Sequence, residues 1–125
     1  SKLANLMFAF ELDRRLRRAQ SSTIAIGCHP CIADTELARH LPAIVRVAVP
    51  LFRPFFNSAF TGAWPALMAA TGPDVEGGDY LGPTRRGETA GPAGPAQATS
   101  VARDGVLAAG LWDLSVEMTG VDPAL

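Results

Sequence analysis

Both cysteines of this 125-residue chain fall in one short stretch, Gly27-Cys28-His29-Pro30-Cys31, two residues apart. Thiols at that spacing admit three kinds of chemistry. A dithiol of thioredoxin type would sit after a strand and before a helix, whose N-terminus lowers a thiol pKa. His-Pro suits the middle of such a motif, but no aromatic residue precedes Cys28 and the chain offers few strands for the surrounding sheet. A zinc site would draw on Cys28, Cys31, His29 and His40. Structural zinc sites need four ligands with a second knuckle, and the chain holds only two Cys and two His in all. In the third reading the loop matters and the thiols are incidental. A buried strand that ends in a turn and opens a short helix is where α/β sheets place their ligands. Backbone N–H groups of Ile32 to Thr35, with the Thr35 hydroxyl, could then hydrogen-bond a polar ligand.

The elements that would position this stretch can be read from hydrophobic spacing. Residues 2–19 form a helix: Leu3, Leu6, Met7 and Phe10, and then Phe8, Leu12 and Leu16, recur at helical intervals. Glu11 precedes Arg15, and Asp13 precedes Arg17, by four residues, the favourable orientation for ion pairing. Arg14, Arg15, Arg17 and Arg18 crowd the C-terminal end, where cations suit the helix dipole, and read as a solvated helix end. Thr23 to Ile26 read as a short buried strand and Thr35 to His40 as one or two helical turns. A helix is expected over 60–71, with Pro65 in its first turn, and a short strand at 79–81.

From Gly82 to Ala96, four glycines and three prolines occupy fifteen positions, which reads as a loop with little regular structure, continuing to residue 99. A last helix is expected from about 100 to 118, with Val106, Leu107, Leu111, Leu114 and Met118 as its buried stripe and Gly120 as its stop. Trp64, Met68 and Trp112 read as core. Two short strands separated by about 50 residues make a poor complete α/β domain and a better part of one.

Composition narrows the function classes. Hydrophobic residues make up 48% and charged residues 18%, as in a globular domain. A net charge of −1 leaves no electrostatic footprint for nucleic acid. Two cysteines are too few for a secreted disulfide scaffold, which points to a reducing, cytoplasmic setting. No signal peptide is visible. The most apolar run, residues 41–56, carries Arg46 and Arg53 and is broken by three prolines. It is shorter than the roughly 20 residues a membrane-spanning helix needs, so no membrane span is expected.

Four motifs in order resemble one family. Ser1-Lys2-Leu3-Ala4-Asn5-Leu6-Met7-Phe8 is similar to the end of the YxxxK motif of short-chain dehydrogenases/reductases, in its retinol-dehydrogenase-like form. Cys28-His29-Pro30-Cys31-Ile32-Ala33-Asp34-Thr35 resembles the HPG-x-x-x-T segment after the family's sixth strand, and Gly77 to Pro83 its last strand. Leu111-Trp112-Asp113-Leu114-Ser115, with Thr119-Gly120, resembles its closing LW-x-x-S…TG helix.

The resemblance implies an α/β fold, the C-terminal half of a Rossmann-type doubly wound parallel sheet, with residues 1–125 forming part of a single domain. It implies an NAD- or NADP-dependent oxidoreductase acting on a lipophilic alcohol or carbonyl. Lys2 would be the catalytic lysine and a cofactor ligand: its ammonium would bind the nicotinamide ribose and lower the pKa of the family's tyrosine. Pro30, Cys31, Ile32, Ala33 and Thr35 would form the segment that holds the nicotinamide carboxamide. Residues 41–58 would be the substrate-binding region, and helix 2–19 would pair across a homodimer. Cys31 stands where the family has glycine, which makes the CxxC spacing a product of that substitution. The family's tyrosine would lie four residues before Lys2, and its Gly-rich nucleotide fingerprint further upstream, so this chain by itself is expected to be an inactive fragment. The rival readings are a small dithiol redox protein using Cys28 and Cys31, and a non-enzymatic remnant that folds with a partner.

Overall fold

The computed structural model describes residues 2–30 and 59–123. In chain order they form helix α1 (Lys2–Arg18), strand β1 (Gly27–Cys28), a four-residue helix α2 (Ala59–Gly62), α3 (Trp64–Thr71), strands β2 (Tyr80–Arg85) and β3 (Ala90–Pro95), a 3-10 turn (Val101–Arg103) and α4 (Gly105–Thr119). The three strands make one sheet in the order β1-β2-β3. The chain divides into two compact units, and β1 and β2 each pass from the first into the second.

The first unit, residues 1–27, 73–80 and 97–125, is built on α1. Its core is Met7, Phe10 and Leu16 of α1 against Ala102, Ala108 and Trp112. Asp104 sets where α4 starts: its backbone is extended, and its carboxylate accepts from the N–H groups of Val106 (2.9 Å) and Leu107 (3.1 Å), two donors a helix start leaves unpaired. The same residue separates the 3-10 turn from α4, so the helix expected over 100–118 is two elements. Gly120 ends α4 in the left-handed region (φ 68°), as expected, and its N–H returns to the Val116 carbonyl.

Which face of α4 is buried differs from the reading of the periodicity. Val106, Leu107, Leu114 and Met118 are 83%, 50%, 50% and 78% exposed, while Ala108 and Trp112 are buried. α1 approaches over the small Ala108 and one large ring, leaving the aliphatic stripe outward. Trp112 is core, as expected; Trp64, expected in the core, is 37% exposed.

Strand formation also departs from expectation. Residues 23–26 form no strand, and Ile24 is 49% exposed. Pairing begins at Gly27, whose N–H donates to the Asp79 carbonyl (2.9 Å). In the second unit the His29 N–H donates to the Leu81 carbonyl (2.9 Å). The two bonds advance in the same direction along both segments, so β1 and β2 are parallel.

The second unit, residues 28–72 and 81–96, corrects the loop expected over 82–99: β2 and β3 form an antiparallel hairpin. Leu81 faces Pro95, Gly82 faces Gly94, Pro83 faces Ala93, and the register shifts before Arg85 faces Ala90. The turn needs left-handed backbone at Arg86, Gly87 and Glu88, and Thr89 anchors it through its N–H to the Arg85 carbonyl and its hydroxyl to the Arg86 carbonyl. α3 packs on β3, and the segment expected as one helix over 60–71 is interrupted at Ala63, with Pro65 buried in the first turn of α3.

Gly82 carries a local test. An added Cβ would run into the His29 imidazole, lying 2.7 Å from both ring nitrogens. A rigid ring backed by the strand cannot swing away as a flexible chain end would. Gly82→Ala should therefore lower stability by about 2 kcal/mol, read as a fall in the urea midpoint; an unchanged midpoint would mean the ring is not seated there.

Candidate functional site

α1 and the segment leading into β1 run in opposite directions, and three residues fix this. Asp13 Oδ1 accepts from the Ala25 N–H (3.3 Å). Two turns back along α1, Leu6 lies against Gly27: a Cβ on that glycine would come 2.6 Å from the Leu6 Cδ1 and 3.2 Å from the Tyr80 ring. Gly27 is buried, and only a residue without a side chain allows α1 this close to the strand. Lys2 stands one turn before Leu6 on the same face of α1 and is exposed. It therefore lies at the end of α1 toward which the strand runs.

The other site residues read from the sequence follow β1. Pro30 is exposed at the end of the described segment. Cys31, Ile32, Ala33 and Thr35 lie outside the described residues, as do His40 and the region 41–58. Cys28 is a free, exposed cysteine. His29, between them in sequence, takes a structural place: its ring fills the space over Gly82, and Nε2 lies 3.3 Å from the Glu88 carbonyl oxygen and 3.9 Å from a Glu88 carboxylate oxygen. Tyr80 opens β2, as expected for a strand residue.

The charged end of α1 is more than a solvated surface. Glu11 and Asp13 are 1% and 4% exposed. Glu11 accepts from Arg15 Nε at 2.8 Å and also from Arg14; Asp13 accepts from Arg17 Nε at 2.7 Å. Arg17 additionally donates to the Gly77 carbonyl. Its hydrogen bond to Asp13, and then the Asp13 charge, hold the guanidinium above its ordinary pKa, so it stays a cation. The i,i+4 spacing foretold both pairs. It carried no sign that the acids are buried, because the covering groups come from the Gly77–Gly78 backbone and from α4. Arg15 also lies 4.5 Å from the Trp112 ring, which stacks on Phe8 with centroids 4.9 Å apart. These contacts cover the Phe8–Arg15 face of α1 and fix the helix that carries Lys2.

Taken together, a helix docked on a parallel strand through a buried glycine, with a lysine at its start, is consistent with part of a Rossmann-type α/β fold, the fold of short-chain dehydrogenases/reductases. The chain is similar to proteins of that family along nearly its whole length, as its motifs imply. Mouse retinol dehydrogenase 14 is 38% identical over 127 residues, covering 97% of this chain and 34% of the relative. Human retinol dehydrogenase 12 is 32% identical over 97% of the chain, and mouse polyprenol dehydrogenase 33% over 96%. A solved structure of an uncharacterised protein from Mycobacterium paratuberculosis superposes with a TM-score of 0.68 at 33% identity, covering 96% of this chain and 37% of that one. The chain thus spans about a third of the length of the curated relatives it matches. No family profile matches it. Among the described residues, no helix is long and apolar enough to cross a membrane.

Proposed function

We propose that this chain is the C-terminal part of an NAD(P)-dependent short-chain dehydrogenase/reductase domain acting on a lipophilic alcohol or carbonyl compound. The observation that carries the reading is the placement of Lys2 at the strand-directed end of α1, in a chain similar over 97% of its length to retinol dehydrogenase 14. Retinol and polyprenol, named for the relatives, are both long apolar alcohols, and the apolar region 41–58 is the segment this reading assigns to such a substrate.

One feature of the fold supports assigning these residues to a nicotinamide nucleotide. The close approach of Leu6 to Gly27 brings α1, the helix that begins with Lys2, against the residue that opens β1, and residues 30–35 follow β1 in sequence. When bound, the coenzyme supplies or accepts a hydride. The lysine ammonium is a donor-only group, suited to the ribose hydroxyls and to holding a neighbouring phenolate by its charge. Pro30, Cys31, Ile32, Ala33 and Thr35 would hold the carboxamide through backbone groups and the Thr35 hydroxyl. The general acid/base itself, the tyrosine of YxxxK, is not among these 125 residues, so Lys2 acts here as its positioning charge. A homodimer through residues 2–19 would have to use what α4 leaves open, the first turn with the half-exposed Leu3.

The test is to join this chain to the N-terminal part of mouse retinol dehydrogenase 14 and follow nicotinamide fluorescence and turnover. Saturable NADH or NADPH binding is expected, with Lys2→Ala lowering kcat by about 100-fold through loss of the charge that activates the tyrosine. A folded chimera that binds neither coenzyme would overturn the reading. Full dithiol exchange activity lost in Cys28→Ser would favour the redox alternative instead.

A further inference from the structure

We propose that Glu88, in the turn of the β2–β3 hairpin, is a positioning residue for the coenzyme-binding segment that begins at Pro30, and that it acts through His29. This role rests on the reading of that segment as coenzyme-binding, and all of its parts lie within the second unit. His29 follows β1 directly and precedes Pro30. Its N–H is bonded to the Leu81 carbonyl of β2 (2.9 Å), and its ring lies over Gly82, where a Cβ would come 2.7 Å from both ring nitrogens. A ring seated so closely on backbone has few orientations open to it. The one it takes brings Nε2 to Glu88, 59 positions away in sequence: 3.3 Å from the carbonyl oxygen and 3.9 Å from a carboxylate oxygen. A carbonyl only accepts, so this bond places the ring proton on Nε2, and the carboxylate lies beside that donor. The His29 and Glu88 side chains are 27% and 32% exposed, so water and salt screen the pair less than they would at an open surface.

The backbone of the turn gives an independent reason to assign the side chain a task. Glu88 has φ 62°, a left-handed conformation that penalises any Cβ and costs glycine nothing. Thr89 holds the turn in that geometry, through its N–H to the Arg85 carbonyl (3.2 Å) and its hydroxyl to the Arg86 carbonyl (2.7 Å). Glycine at position 88 would therefore serve the turn better, whereas glutamate serves the contact with His29. What His29 does is passed on to the next residue. The ring of Pro30 fixes its own φ, so the direction in which the chain leaves β1 follows the orientation of His29 closely. A segment that presents backbone groups to a carboxamide depends on that direction.

Two measurements test this role. In the 125-residue chain, amide hydrogen exchange followed by NMR reads the His29 N–H. Glu88→Gly should speed its exchange about threefold, although glycine suits the turn, and Glu88→Gln should fall between. The Gly27 N–H, bonded to the Asp79 carbonyl in the first unit, should keep its rate. In a His29→Asn background, Glu88→Gly should leave the amide of residue 29 unchanged, because the contact is already gone. In the chimera with the N-terminal part of mouse retinol dehydrogenase 14, Glu88→Gly should raise the coenzyme KM about threefold and keep kcat within about twofold. Exchange that is unchanged or slowed by Glu88→Gly is the behaviour of a turn residue alone and would overturn the proposal. Faster exchange with an unaltered KM would overturn it as well. A folded chimera that binds no coenzyme overturns the reading of the segment, and the role of Glu88 with it; one that binds coenzyme but is indifferent to Glu88→Gly overturns the role of Glu88 alone.

Discussion

Replacing Trp112 with alanine should destabilise the chain by about 4 kcal/mol. The indole is 2% exposed, stacks on Phe8 with the planes 11° apart, and carries the Arg15 guanidinium on its other surroundings at 4.5 Å. Truncation removes the largest apolar contribution to the α1–α4 contact and leaves a cavity that neighbouring residues cannot fill, because the residue one turn earlier on that face is only Ala108. Trp112→Phe keeps an aromatic ring against Phe8 and should cost about 1.5 kcal/mol. Urea unfolding followed by far-UV circular dichroism reads both changes. A loss below about 1 kcal/mol for Trp112→Ala would mean that α1 and α4 do not pack through this ring. Domains of this size are stable by roughly 5–15 kcal/mol, so the alanine variant should sit near the edge of folding.

The same packing shows what a linear sequence reveals and what it conceals. The helical spacing of residues 2–19 predicts α1 to within a residue, because its apolar positions recur around both faces and both faces are used. Gly120 is legible because a helix stop needs only local geometry. The inward face of α4 was not legible. Periodicity ranks Leu, Val and Met above Ala, but the choice of face was made by how closely α1 could approach, and that favoured Ala108. The β2–β3 hairpin was hidden for a related reason. Gly and Pro lower any local strand preference, yet in a paired ribbon Gly82 makes room for His29 and Pro83 sits beside a register shift, where a missing N–H is tolerated.

The family resemblance was legible, while the packing around the candidate residues was not. The order of the four motifs identified the family resemblance that comparison with retinol and polyprenol dehydrogenases supports over almost the entire chain. Lys2 could be named from its context, but what holds its helix in place could not. That depends on Gly27 receiving Leu6 and on Asp13 reaching the Ala25 backbone, contacts between segments with no shared sequence signature. Arg14 and Arg17 read as ordinary helix-end charges, and nothing in the sequence signalled that Arg103, 86 positions from Arg17, lies beside them in the turn that precedes α4.

Glu11→Ala is the second large effect, about 3 kcal/mol of lost stability, and its cause differs from a cavity. The carboxylate is 1% exposed and accepts from two guanidinium groups whose side chains are only 33% and 22% exposed. Removing it leaves Arg14 partly buried without its acid and Arg15 with only the longer contact to Asp113 (3.7 Å), so the loss is the cost of poorly compensated cations more than the net worth of the pairs. Glu11→Gln keeps the volume and one acceptor and should lose about half as much. Because Arg15 touches both Glu11 and Trp112, the two alanine substitutions should not add. In the double variant, Arg15 has already lost its closer acid when the ring disappears, and the combined loss should fall short of the sum by about 1 kcal/mol. Additive losses would show that Arg15 does not couple the acid to the ring, and that α4 is held to α1 by apolar packing alone.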